Sequence, residues 1–301
     1  MTIRPRRSVL YMPGSNARAL EKAKTLAADA LILDLEDSVA SEVKNSARAQ
    51  VLAAVKAGGF SPREVAVRVN ALDSAWGLDD LAAVAAAEPD AIVLPKVSSP
   101  HDLLVAGRMV SELGAPASLR LWAMIETPLS IVGAREIAAA ARDPVTRLQV
   151  LVLGTNDLAK ETRARIVPGR LPMLGWLSTA IAAARAYGLD VIDGVYNDLD
   201  DPQGFARECA EGRDLGFDGK TLIHPSQIAP ANAAFSPSQA EIAQARKIVA
   251  AFEAPENRDK GALALDGRMV ERLHAEIVRR TVALAEAIAA RSADKAARGS
   301  P

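Results

Sequence analysis

Residues able to act as acids, bases or ligands recur at one kind of place in this chain, directly after short apolar runs. Asp34, Glu36 and Asp37 follow ALIL in ALILDLEDSV, and Arg68 and Asn70 lie in VAVRVN. Lys96 follows AIVLP, Glu126 follows LWAMI and Asp157 lies in LVLGTNDLA, while Asp193 and His224 close LDVID and KTLIH. Glu126 and Asp157 come from successive runs, and two carboxylates brought close together repel unless a cation lies between them. A hard divalent ion answers that need: Mg2+, with Mn2+ as a substitute, takes one or two carboxylates and fills its shell with water and substrate oxygen. The ordinary readings stand beside this one, with Glu126 a carboxylate ahead of a helix at Thr127-Pro128 and Asp157 a capping residue.

The acids of DLEDSV could orient waters around such an ion or pair with Arg68 and Lys96. Equally, Asp37 or Ser38 could cap a helix through Val43. Arg68 offers a planar fork to a carboxylate or to an enolate oxygen. Lys96 could form a Schiff base only with a depressed pKa in an apolar pocket, and the surrounding acids argue for a protonated amine instead. His101, His224 and His274 have no H-x-x-x-H or H-E-x-x-H spacing, and no G-x-S-x-G elbow occurs, so zinc and serine hydrolases lack support. In PGSNARALEKA a helix start with Arg18, Lys22 and Lys24 could meet phosphates, or could be a plain Ser/Asn cap with solvated lysines.

What must position these residues is a set of βα units. Short β-branched runs at Ser8–Met12, Ala30–Leu33, Val65–Val69, Ala91–Leu94, Leu121–Ile125, Val150–Leu153, Leu189–Ile192 and Gly219–Ile223 alternate with helical periods such as Leu78–Ala87, Gly133–Ala141 and Thr179–Tyr187. Eight such strands predict an α/β TIM (β/α)8 barrel, whose active site lies at the C-terminal strand ends. The competing open sheet usually carries a Gly-rich first turn, and no G-x-G-x-x-G is present. The reading places the barrel at residues 1–252, with a helix over Ser236–Phe252 at its end. A linker and C-terminal helical extension follow at 253–301: a polar stretch Glu253–Lys260, a helix over Val270–Arg291 and a frayed SADKAARGSP.

Composition bounds the rest. The 301 residues carry 36 basic and 37 acidic side chains, for a net charge of −1, which argues against a nucleic-acid binder. One cysteine, Cys209, leaves no disulfide framework or cysteine-based zinc site. No signal-type apolar segment and no run of about 18 apolar residues occurs, so a cytoplasmic, membrane-free protein is the expectation.

Taken in order, RSVLYMPGSNARALEKA, ADALILDLEDSV, VRVNALDS, AIVLPKV, AMIETPLSI, VLGTNDLAKE, VIDGVYND and GFDGKTLIHPSQI resemble the aldolase/citrate lyase superfamily, specifically the citrate lyase β-subunit-like acyl-CoA lyases. The resemblance covers nearly the whole chain. It implies Mg2+ held by Glu126 and Asp157, Arg68 beside a thioester carbonyl, CoA-ester substrates with 2-oxo acids as co-products, and homotrimers or homohexamers in which the C-terminal segment is a lid. Several malyl- and citramalyl-CoA lyases carry a lid aspartate in a motif like M-I-D. Here the matching stretch is DGRMVERLH, so Glu271 stands in its place, with Asp266 a second acid on the segment. The expected reaction is Mg2+-dependent cleavage or formation of a citryl-, malyl- or citramalyl-CoA. Glu36, Asp37 and Glu271 are the candidate acid–base groups, Arg68, Lys96 and Glu126 the substrate contacts, and Arg18 and Lys22 the CoA contacts. A thioesterase on the same site, a CoA-independent 2-oxo acid aldolase and a non-catalytic subunit are the rivals.

Overall fold

The computed structural model describes residues 3–298, with side chains to residue 292. It divides into two compact units, residues 6–235 and the segment from Ser236 onward grouped with the residues up to Pro5. The boundary falls after Phe235, so helix Gln239–Glu253 groups with the C-terminal segment.

The larger unit is a closed, all-parallel barrel of eight strands in sequence order. They are β1 (Ser8–Pro13), β2 (Ala30–Asp34), β3 (Glu64–Arg68), β4 (Ala91–Leu94), β5 (Arg120–Ile125), β6 (Leu148–Leu153), β7 (Asp190–Asp193) and β8 (Gly219–Leu222). β1 pairs with both β2 and β8, which closes the ring. Each run read from the sequence is a strand within two residues of its expected limits. Such strands are buried on both faces, which is why they read as continuous apolar runs rather than as alternation.

Side chains pointing inward fill the barrel in layers: Val9, Ile32, Ala66, Val93, Trp122 and Val152 form one core, and their outward neighbours pack beneath the helices in another. Trp122 is fully buried at the centre, with the Arg6 guanidinium 5.3 Å from its ring. Arg6 also donates to Glu64 through Nε and Nη2, both at 2.7 Å, and to Gln149 at 2.9 Å, so a charged cluster closes the N-terminal end of the barrel. At the opposite end Gly14 lets β1 approach β2. Its N–H donates to the Asp34 carbonyl at 2.8 Å, and a Cβ there would lie 2.4 Å from that oxygen.

The smaller unit differs in part from the sequence reading. Helix Gln239–Glu253 is capped by Ser238, which exchanges hydrogen bonds with Glu241 in a capping box. The stretch expected as linker contains a 3-10 turn at Pro255–Asn257. Val270 and Glu271 are not helical but belong to an antiparallel hairpin of β9 (Ala262–Leu265) and β10 (Arg268–Glu271). Asp266 and Gly267 form its two-residue turn with φ of 51° and 74°, the left-handed pair that Asp-Gly favours. Asp-Gly between ALAL and RMVE was the signal available for it. The final helix runs from Arg272 to Arg298, through most of the tail expected to fray, and residues 299–301 lie outside the described residues. Ile248, Phe252, Val270 and Ala275 form this unit's small core.

Candidate active site

A cavity of about 290 Å3 opens at the C-terminal strand ends of the barrel, with Tyr11, Asp34, Arg68, Met124, Glu126 and Asp157 in its wall. These residues come from β1, β2, β3, β5 and the helix Thr155–Thr162 after β6. Inward parity explains the choice: Tyr11, Asp34, Arg68 and Glu126 continue the inward rows of Val9, Ile32, Ala66 and Met124.

Arg68 organises one side. Its Nε and Nη2 meet the two oxygens of Asp34 at 2.7 and 2.8 Å in a bidentate pair. Nη1 lies 2.7 Å from Glu36 Oε2 and 3.3 Å from Asp37 Oδ2, and the guanidinium sits 4.8 Å from the Tyr11 ring centre. Asp34 also accepts from the Glu36 and Ser38 N–H groups, so it, rather than Asp37 or Ser38, orders the DLEDSV turn. The helix expected through Val43 starts instead with a 3-10 turn at Ser41–Val43, and no side chain caps it. Burial works against ionised Asp34, but Arg68 outweighs it and holds the carboxyl below its ordinary pKa. Glu36 goes the other way. Burial, with Glu126 and Asp37 adding to it against the pull of Arg68, pushes its carboxyl up to about 8.

Lys96 organises the other side. Its backbone is left-handed, at φ 54°, a conformation seldom seen outside glycine and found at constrained sites. Its N–H donates to Glu126 Oε1 at 2.8 Å, and its Nζ lies 2.6 Å from Asp157 Oδ1 and 3.5 Å from Glu126 Oε1. Burial would lower the Lys96 pKa, but Glu126 and Asp157 reverse that and raise it. An ammonium held this way is no Schiff-base nucleophile. Burial raises the pKa of Glu126, which has no exposed surface, and its Oε2 has no hydrogen-bond partner. Glu126 reaches this place because Gly154 stands beside it, where a Cβ would be 2.4 Å from Oε2.

Glu126 does stand just ahead of the helix Pro128–Val132, which Thr127 caps, whereas Asp157 lies in the first turn of Thr155–Thr162 and does not cap it. Glu126 and Asp157 thus face one cavity, bridged by a single ammonium, with a buried carboxylate oxygen left over. Among the described residues no group of three or more acidic, histidine or cysteine side chains could hold a metal, so a cation here would rest on these two carboxylates. That donor set fits Mg2+, which completes its shell with water and substrate.

Other expectations fall elsewhere. Asp193 turns outward, behind the barrel wall, where Arg170 Nη1 donates to it at 2.7 Å and Lys220 Nζ at 3.0 Å, with Lys220 also 2.7 Å from Glu208. Asn70 is buried and donates to Leu35 O and Asp80. His224 caps the turn Pro225–Gln227 through Ser226, and His274 accepts from the Glu271 N–H. Arg18 and Lys22 are exposed on helix Ala17–Ala23, which Asn16 caps. Glu271 ends β10 in the smaller unit, and Asp266 forms an ion pair with Lys247 there. Tyr11 was missed, although alternation with Val9 marks it as inward-facing.

Carboxylates and a buried guanidinium at the C-terminal mouth of a parallel barrel have the form of a barrel-enzyme site, and the wider comparisons give its class. Residues 7–225 match the HpcH/HpaI aldolase/citrate lyase family, and the chain belongs to that family. It is 50% identical over 286 residues, 95% of this chain and 96% of the relative, to a (3S)-malyl-CoA thioesterase of Cereibacter sphaeroides. To the citrate lyase β subunit of Escherichia coli it is 38% identical, over 89% of each chain. Among solved structures, the CitE protein of Mycobacterium tuberculosis in complex with magnesium, acetoacetate and coenzyme A shares 32% identity at a TM-score of 0.71, covering 92% of this chain and 97% of that one. No helix among the described residues is long and apolar enough to cross a membrane.

Proposed function

We propose that this chain is a Mg2+-dependent enzyme acting on a malyl-type CoA thioester, and that its reaction is hydrolysis of (3S)-malyl-CoA to malate and free CoA. The observation that carries this reading is the 50% identity to a (3S)-malyl-CoA thioesterase along nearly the full length of both chains, against 38% to a citrate lyase β subunit. Mg2+ (or Mn2+) on Glu126 and Asp157 would supply Lewis-acid polarisation of substrate oxygen. Lys96, which bridges those carboxylates, would then turn toward the substrate carboxylate. Glu36, with a pKa of about 8, holds its proton through most of the neutral range and would accept one from water as it ionises on the alkaline side of neutral. Arg68, fixed by Asp34 through Nε and Nη2, would turn its Nη1 from Glu36 and Asp37 to the developing oxyanion of the thioester carbonyl. Attack of water on that carbonyl breaks the C–S bond, and the sulfur leaves as CoA thiol after taking the proton. Arg18 and Lys22, exposed beyond β1, are the candidate contacts for the CoA phosphates.

A second reading rests on the likeness to citrate lyase β subunits and CitE. The same base would take the substrate hydroxyl proton, the carbon–carbon bond would break, and Arg68 would stabilise the enolate. An acid such as Asp37, or Glu271 supplied by a neighbouring subunit, would return a proton to give acetyl-CoA and a 2-oxo acid. In either reading the working form is a homotrimer or homohexamer in the cytoplasm. Incubation of the protein with Mg2+ and (3S)-malyl-CoA, products followed by mass, separates them. Free CoA with intact malate supports hydrolysis; acetyl-CoA with glyoxylate overturns it in favour of cleavage.

A further inference from the structure

Beside the catalytic cavity lies a larger one of about 620 Å3, in the same barrel unit. Thr155, Asn156, Val195 and Asn197 appear in the walls of both, so the cavities meet along the ends of β6 and β7. Two of these shared residues bind each other. Asn156 Nδ2 donates to Asn197 Oδ1 at 3.1 Å, and Asn197 Nδ2 donates back to Asn156 Oδ1 at 2.8 Å. Both residues are exposed, and among the described residues their side-chain amides are bonded to each other, so the fold depends little on the pair.

The far cavity is selective in character. Val167, Pro168, Met173 and Val195 give it an apolar side. Its charged lining holds four carboxylates, Asp198, Asp201, Glu208 and Glu211, against two guanidiniums, Arg170 and Arg207. Arg170 is spent: Nη1 and Nε are bound to Asp193 and Glu211, and its unpartnered Nη2 is enclosed by protein. An additional carboxylate placed here would meet an excess of like charge, whereas an alkyl group would meet apolar surface.

We infer that the Asn156–Asn197 amide pair sets substrate size, walling a small catalytic cavity off from a side cavity suited to an uncharged alkyl branch. This rests on the proposed reading that the catalytic cavity holds the acyl part of a malyl-type thioester. With the pair in place the enzyme favours an unbranched acyl group. With the pair removed, the side cavity accepts a branch of several carbons and still rejects one that ends in a carboxylate. Discrimination of alkyl groups by pocket shape runs to about 10–200-fold per methylene.

The test compares the wild-type protein with Asn156→Ala/Asn197→Ala on (3S)-malyl-CoA, a propyl-branched homologue and citryl-CoA, all with Mg2+. The expected result is a rise of about tenfold or more in kcat/KM for the propyl homologue relative to malyl-CoA, with no such rise for citryl-CoA. Adding Val167→Trp, which lines only the far cavity, removes the gain. An unchanged preference overturns the inference, as does an equal gain for the carboxymethyl branch. Wild-type turnover of malyl-CoA judges the reading of the reaction separately. If that turnover is absent, the same pairs are compared by calorimetry, as Kd of free propyl-branched and unbranched 2-hydroxy acids. No gain in relative affinity for the branched acid then overturns the inference.

Discussion

Arg68 faces more negative charge than one guanidinium can neutralise. Asp34 takes its best edge, and Glu36 is left to share Nη1 with Asp37 while lying near Glu126. Burial first, with Glu126 and Asp37 adding to it, displaces that carboxyl from its ordinary 4.5 to about 8. Because that pKa is raised on folding, the native chain binds one more proton than the unfolded chain between those values, and stability from this group falls as pH rises from about 4.5 to about 8. Metal-free Glu36→Gln should therefore lose part of the wild-type fall in Tm between pH 5 and about 8, which thermal melts in EDTA would measure; parallel profiles would refute the assignment. Arg68→Lys keeps the charge but not the fork to Asp34. It should lower kcat by about 10²–10³ with little change in Tm, read by steady-state kinetics beside a melt.

At the scale of elements, the site depends on how closely β5 and β6 end beside each other. Gly154 has no side chain because Glu126 fills the space, so Gly154→Ala should displace the carboxylate. A cost of about 1–3 kcal/mol in stability is expected from overpacking, together with a several-fold weaker response to Mg2+, both measurable by denaturant melts with and without the ion. The outward turn of Asp193 at the end of β7 shows the reverse case. A strand end carries a charge, yet parity sends it behind the wall to Arg170 and Lys220. Lys220 is fully buried, so Lys220→Met leaves Asp193 and Glu208 short of a partner. A loss of about 3–5 kcal/mol in urea unfolding is expected from breaking such a network.

For the whole molecule, the barrel joins carboxylates that lie far apart in sequence, and a divalent cation binding only the folded state stabilises it by mass action. Mg2+ at about 100 times its Kd should add about 2.7 kcal/mol, seen as a rise in Tm that EDTA reverses. Glu126→Ala should abolish that rise while leaving the barrel folded, and a full Mg2+ shift in the variant would remove Glu126 from the metal site. Gel filtration with light scattering would place the assembly as trimer, hexamer or neither.

The strand set and the barrel were legible because each parallel strand is buried on both faces and therefore shows as an apolar run with a polar residue at its end. Arg68, Glu126, Lys96, Asp157 and the DLEDSV acids stand at such ends, so local order alone marked them. It could not say which way each pointed. Inward parity brings Asp34, Arg68 and Glu126 to one cavity with Tyr11, while the same kind of strand end turns Asp193 away, and a single step of register separates the two outcomes. Nor does local sequence carry the Lys96 bridge between two acids, the raised pKa of Glu36, or the amide pair joining Asn156 to Asn197 across 41 residues. Those depend on through-space distance and on water excluded by burial, which only the closed barrel creates.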